Sequence, residues 1–178
     1  MNKRKKTFLV DTNILITPFH DYYSFDFGKN AFWNFLEQNI MNDNIKILSN
    51  VYAEITKGKG ELEKWITTAK DKVMPHNSHK ILNQFNVVMK YLEASDTLYE
   101  QSAVDKWADP VTADGWLVAT SMAFGYSIVT FETRNKFLGT SISDNPKIPD
   151  IAAHFGVKCI NLFDMMRSLN FKFDKNYT

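Results

Sequence analysis

Four acidic residues stand where carboxylates could work together. Asp11 interrupts an apolar run, "FLVDTNILI", with Phe8, Leu9 and Val10 before it and Ile14, Leu15 and Ile16 after it. Glu54 lies in "VYAEI", Asp114 in "TADGWLVATSMA" and Glu132 in "SIVTFE". A charge in apolar surroundings is costly unless it is paired or ligates a metal. Carboxylates held close repel and raise each other's pKa, and a divalent cation removes the conflict. Magnesium and manganese take carboxylate and water oxygens, whereas the sequence has no cysteine pair for zinc. A carboxylate-held cation suits phosphodiester hydrolysis: one ion activates water, and a second, roughly 4 Å away, steadies the leaving oxygen. Thr12, Asn13 and Thr130 flank the acids as hydrogen-bonding support. Taken singly, Asp11 reads as a turn or cap, Glu54 as an exposed helix residue, Asp114 as a helix N-cap and Glu132 as a loop acid. Their joint placement carries the catalytic reading.

The elements that must position them follow from hydrophobic periodicity. Residues 7–16 read as a buried strand, and "TPFHDYYSFDFG" as a loop. A helix runs through "NAFWNFLEQNIMN", capped by Asn30. "IKIL" is a second strand. "SNVYAEITKGKG" is a helix opened by Ser49 or Asn50 and closed by Gly58. Helical stretches at 61–73, 79–94 and 97–107 follow, forming an insertion or lid between the second strand and the third acidic motif. The helix carrying Asp114 stops at Gly125. "YSIVTFE" is a third strand, "DNPKIPDIAAHFG" a loop and helix, "VKCINL" a fourth strand and "FDMMRSLN" a last helix. Strands alternating with helices mean a three-layer α/β/α fold around a central parallel sheet. In such a sheet the active site lies at the carboxyl ends of the strands, where the four acids fall.

Bulk properties agree with this. The chain has 178 residues, 44% apolar and 23% charged, which suits one soluble domain over residues 1–178. Tails at 1–6 and 172–178 are expected to be disordered. With a net charge of +1, no global field draws nucleic acid, so any such site must be a local basic patch. The single cysteine, Cys159, fits a reducing compartment. No run reaches the roughly 18 apolar residues of a membrane span, and no signal peptide is legible, so a cytoplasmic protein without membrane contact is expected.

At these residues the chain resembles the PIN-domain ribonucleases, which include the VapC toxins of toxin–antitoxin pairs. "LVDTNILI" matches the opening strand ending in Asp-Thr-Asn, at Asp11, Thr12 and Asn13. Glu54 matches the second acid. Asp114 with Leu117, Val118 and Ala119 matches the third motif, and Thr130 with Glu132 the last. The resemblance spans most of the chain in order and spacing, and "KIPDIAAHFGVKCINLFDMM" suggests a less characterised PIN-like subfamily. It implies a parallel α/β fold, Mg2+ or Mn2+, endonucleolytic cleavage of RNA, a cognate antitoxin and, in many relatives, a homodimer. The chain departs from the family in length between Glu54 and Asp114, and in ending on Glu rather than Asp. "WADPVTADG" also offers Asp109, the second choice for the third acid. Asp150 reads as a helix cap or as a support for the acids.

Phosphates need cations, and Lys57, Lys59, Arg134, Lys136 and Lys147 lie near the acids in sequence. Singly, each reads as a solvated surface residue. Trp33, Trp65, Trp107 and Trp116 read as packing residues, and Cys159 as part of the core. A phosphatase of the haloacid dehalogenase type wants a second Asp two residues after the first, where this chain has Asn13. A PIN-fold module that binds RNA or protein with little catalysis, or a stand-alone RNA-processing nuclease, are the alternatives to a toxin.

Overall fold

The computed structural model describes residues 6–25, 31–94, 99–136 and 142–172. The expected cap Asn30 and nearly all of the expected tails lie outside these residues.

Five strands form one parallel sheet: β1 (Phe8–Val10), β2 (Ile45–Leu48), β3 (Val73–Met74), β4 (Ser127–Val129) and β5 (Cys159–Ile160). Their order is β3-β2-β1-β4-β5. Phe8 registers with Ile45 on one side of β1 and with Ser127 on the other. All three residues of β1 are buried, so both faces of the sheet are covered. Right-handed crossovers put the connections running toward β3 on one face and those returning toward β5 on the other. The expected α/β/α layering is therefore present. No helix among the described residues is long and apolar enough to cross a membrane.

The helices are α1 (Asn13–Thr17), α2 (Ala31–Met41), α3 (Ser49–Thr56), α4 (Glu61–Thr67), α5 (His79–Glu93), α6 (Gln101–Ala108), α7 (Asp114–Phe124), α8 (Ile148–His154) and α9 (Leu162–Ser168). Several expectations need correction. The strand expected over 7–16 stops at Val10, because Ile14 N–H turns back to the Asp11 carbonyl at 3.1 Å. Ile14 and Leu15 are buried from a helix instead; a short apolar run does not distinguish the two. The loop after it begins with a π-helical turn, Pro18–Tyr22. Helix α3 has Leu48 at its N-cap position and no side-chain cap. Asn50 is buried and directs its amide toward the Pro110 carbonyl at 3.3 Å. Gly58 adopts no left-handed conformation, whereas Gly125 does, at φ 74°. The helix expected over 61–73 ends at Thr67, and its last residue opens edge strand β3, which Pro75 follows. The helix expected from 97 begins at Gln101, since Tyr99 bridges to Ser143.

The insertion is no lid. Ile81, Phe85, Val88, Met89 and Leu92 of α5 are buried, and Phe85 stacks on Trp116 of α7, centroids 3.7 Å apart and 5° from parallel. Gly115 makes the approach possible, since a Cβ there would lie 2.9 Å from the Phe85 ring. The four tryptophans are buried, as expected.

Candidate active site at the switch point of the sheet

The chain runs from β1 to β2 on one side, and β4 pairs with β1 on the other. The carboxyl end of β1 thus faces the crevice where the strand order reverses, the usual ligand position in open parallel sheets. Asp11 sits there, 6% exposed. Its Oδ1 accepts the Thr12 N–H at 2.7 Å. Its Oδ2 accepts the Asn13 amide at 2.6 Å and the Thr130 hydroxyl at 2.7 Å.

The Asp-Thr-Asn triplet divides its work. The Thr12 hydroxyl donates to Glu54 Oε2, joining β1 to α3. Asn13 reaches the other way: its amide also donates to Thr130 Oγ1 at 3.1 Å, and its Oδ1 accepts the Phe131 N–H at 3.1 Å. Thr130 Oγ1 in turn accepts the Glu132 N–H at 3.0 Å. Asp114 is the first residue of α7 and makes no side-chain cap, contrary to the cap reading.

Burial lifts the Asp11 carboxyl to about 7; the Thr130 hydrogen bond opposes the rise, while the charges of Asp114 and Glu132 add to it. Burial likewise lifts Asp114 to about 6, reinforced by Glu132 and Glu54 and opposed by Lys106 and Lys147. Asp11 thus feels the charges of Asp114 and Glu132, and Asp114 those of Glu132 and Glu54. Asp109 is left out: exposed, its Oδ1 accepts the Val111 N–H at 2.9 Å in a local turn.

Glu132 is already engaged. Its Oε2 accepts the Ile148 N–H at 2.8 Å, and Lys147 lies 3.5 Å from its Oε1. Asp150 braces the same segment, accepting the Asn135 N–H at 2.9 Å; it supports the site's wall, and the cap reading misses this. Lys57 and Lys59 are exposed beyond Glu54, Arg134 and Lys136 beyond Glu132. Lys106 on α6 and the Ile148 N–H escaped the sequence reading. Neither carries a motif, and both reach the acids through tertiary packing alone.

The donor set is hard oxygen throughout, which suits Mg2+ or Mn2+. Among the described residues, no group of three or more His, Cys, Asp or Glu is set to hold one ion together. Mg2+ is commonly held by one or two carboxylates with water and substrate phosphate completing the shell. Asp11, buried, and Asp114, half-buried and repelling it, fit that pattern.

A family profile described as a domain of unknown function, DUF4411, matches residues 8–173. No curated protein matches the sequence. A solved structure, VapBC2 from Rickettsia felis bound to a DNA fragment from their promoter, aligns with 17% identity and a TM-score of 0.46, covering 79% of this chain and 99% of that one.

Proposed function

The chain belongs to the DUF4411 family, and we propose from its own site that it is a metal-dependent endoribonuclease of the cytoplasm, acting as the toxin of a toxin–antitoxin pair. The observation that carries this reading is the cluster at the end of β1, where the buried Asp11 and the half-buried Asp114 repel each other beside two further acids. The motif resemblance to PIN-domain ribonucleases supports the choice of RNA and of an antitoxin partner.

Asp11 and Asp114 would hold Mg2+ or Mn2+, with Glu54 and Glu132 completing the acidic group. When bound, the cation would lower the pKa of water and offset charge developing on the phosphodiester. The protein's part is orientation and proton handling. Asn13 and Thr130 fix the Asp11 carboxylate by two hydrogen bonds, and Thr12 fixes Glu54. Glu54 keeps Oε1 to take the proton of the attacking water as a P–O ester bond breaks. Lys147, Arg134, Lys136, Lys57 and Lys59 supply cations for the flanking phosphates.

One observation favours a second reading, a binding module with weak catalysis. Glu132 is tied to Ile148 and Lys147, and no three acids converge on one point among the described residues. Cleavage of a mixed RNA substrate separates the two readings, with Mn2+, Mg2+ or EDTA and with wild type against Asp11→Asn. We expect cleavage that needs the metal and drops at least about 100-fold in the variant. Intact RNA, with no heat of metal binding in calorimetry, would overturn the nuclease reading.

A further inference from the structure

A cavity of about 460 Å3 opens beside Glu132, at the carboxyl ends of β4 and β5. That volume is ordinary for a small-molecule site. Phe131, Pro149, Val157 and Ile160 give it apolar walls, and Arg134 and Asn161 give it polar ones. Thr130 belongs both to this cavity and to the hydrogen-bond shell of Asp11, so the cavity adjoins the acids directly.

Three hydrogen bonds already described, from Phe131 N–H to Asn13, Ile148 N–H to Glu132 and Asn135 N–H to Asp150, hold the wall in place. The pocket is thus preformed, which lowers the cost of binding. Asn161 uses Oδ1 to cap α9, accepting the Asp164 N–H at 2.9 Å. Its Nδ2 has no partner among the described residues. The neighbouring acids are paired, Glu132 with Lys147 at 3.5 Å and Asp164 with Arg167 at 2.8 Å. Arg134 has no ion-pair partner among the described residues. A half-buried aromatic ring, an amide donor and an uncompensated guanidinium together suit an unstacked base and its phosphate.

We propose that this cavity receives a nucleobase of single-stranded RNA beside the cleaved bond, stacked on Phe131, read at its edge by Asn161 and with its phosphate held by Arg134. The proposal rests on the phosphodiesterase reading for its place in the reaction and on the cavity alone for binding. Two measurements keep the two apart. In the first, amide chemical shifts of labelled protein are followed with each ribonucleoside 5′-monophosphate and with ribose 5-phosphate. At least one nucleotide is expected to shift Phe131 and Asn161 saturably, and ribose 5-phosphate is not. Asn161→Asp keeps the cap acceptor, exchanges the amide donor for a carboxylate, and is expected to weaken that binding at least about tenfold. Phe131→Ala is expected to abolish it and Phe131→Tyr to restore it.

In the second, cut sites in random single-stranded RNA are sequenced. Wild type is expected to prefer one base beside the cut, and Asn161→Asp to change that preference. Absent nucleotide shifts, an equal response to ribose 5-phosphate, or identical preferences in both proteins overturn the pocket even if RNA is cut. Saturable nucleotide binding with neither cleavage nor heat of metal binding supports the pocket and overturns the nuclease reading.

Discussion

Asp114 is the sharpest test at the scale of one residue. Burial and neighbouring acids oppose its charge, and no hydrogen bond to its side chain compensates within the described residues. Asp114→Asn removes the charge at nearly constant shape. At pH 8 the variant should melt about 2–4 °C higher, as a gain near 1 kcal/mol gives in a domain of this size, while RNA cleavage falls about 100-fold or more. A variant that lost both would mean the carboxylate is structural. The wild type should show the linked pH dependence. With Asp11 raised from 3.8 to about 7 and Asp114 to about 6, the folded chain keeps protons that the unfolded chain releases. Stability from this source is full below pH 3.8 and is lost as pH rises through about 6 and then about 7. Melting scans without metal should fall across that window; a flat profile would contradict the burial of the pair. The acids were legible in the sequence because Asp11 and Glu132 follow apolar strands, Asp114 opens a helix and Glu54 lies on the helix that leaves an apolar strand. The ties that engage Glu132 were not, since the Ile148 N–H and Lys147 meet it only through the packing of α8.

At the scale of elements, α5 and α7 carry the acid's position. Gly115→Ala would press a methyl against Phe85 at 2.9 Å and the Trp107 carbonyl at 3.3 Å. We expect a loss of about 1–3 kcal/mol in denaturant unfolding, and lower activity as Asp114 shifts with its helix. An unchanged midpoint would show that the helices part easily. Helix α5 was legible from its apolar spacing, but its role was not. Length between two motifs suggests a lid, and only the ring stack on Trp116 shows a core layer. Native-state hydrogen exchange should therefore open α5 and α7 amides together, at the global unfolding free energy. Separate, earlier opening of α5 would restore the lid. Strand β3 was lost to sequence reading because two residues carry no period, and Pro75 ends it at once.

At the scale of the whole molecule, a cation should act as a folding ligand as well as a cofactor. At a hundredfold excess over its dissociation constant, Mn2+ should stabilise the fold by about 2.7 kcal/mol at pH 8. The gain should shrink at pH 5, where protons hold Asp11 and Asp114. Equal gains at both pH values would place the ion elsewhere. The sheet order has one more consequence. Strand β1 is made long before its partner β4 at 127–129, and Glu132 is held by the still later Ile148. During synthesis β1 waits, its acid exposed and its partners unmade, until β4 and Ile148 have emerged. On the proposed reading, the nuclease site therefore stays incomplete on the ribosome until the segment carrying Ile148 has been made.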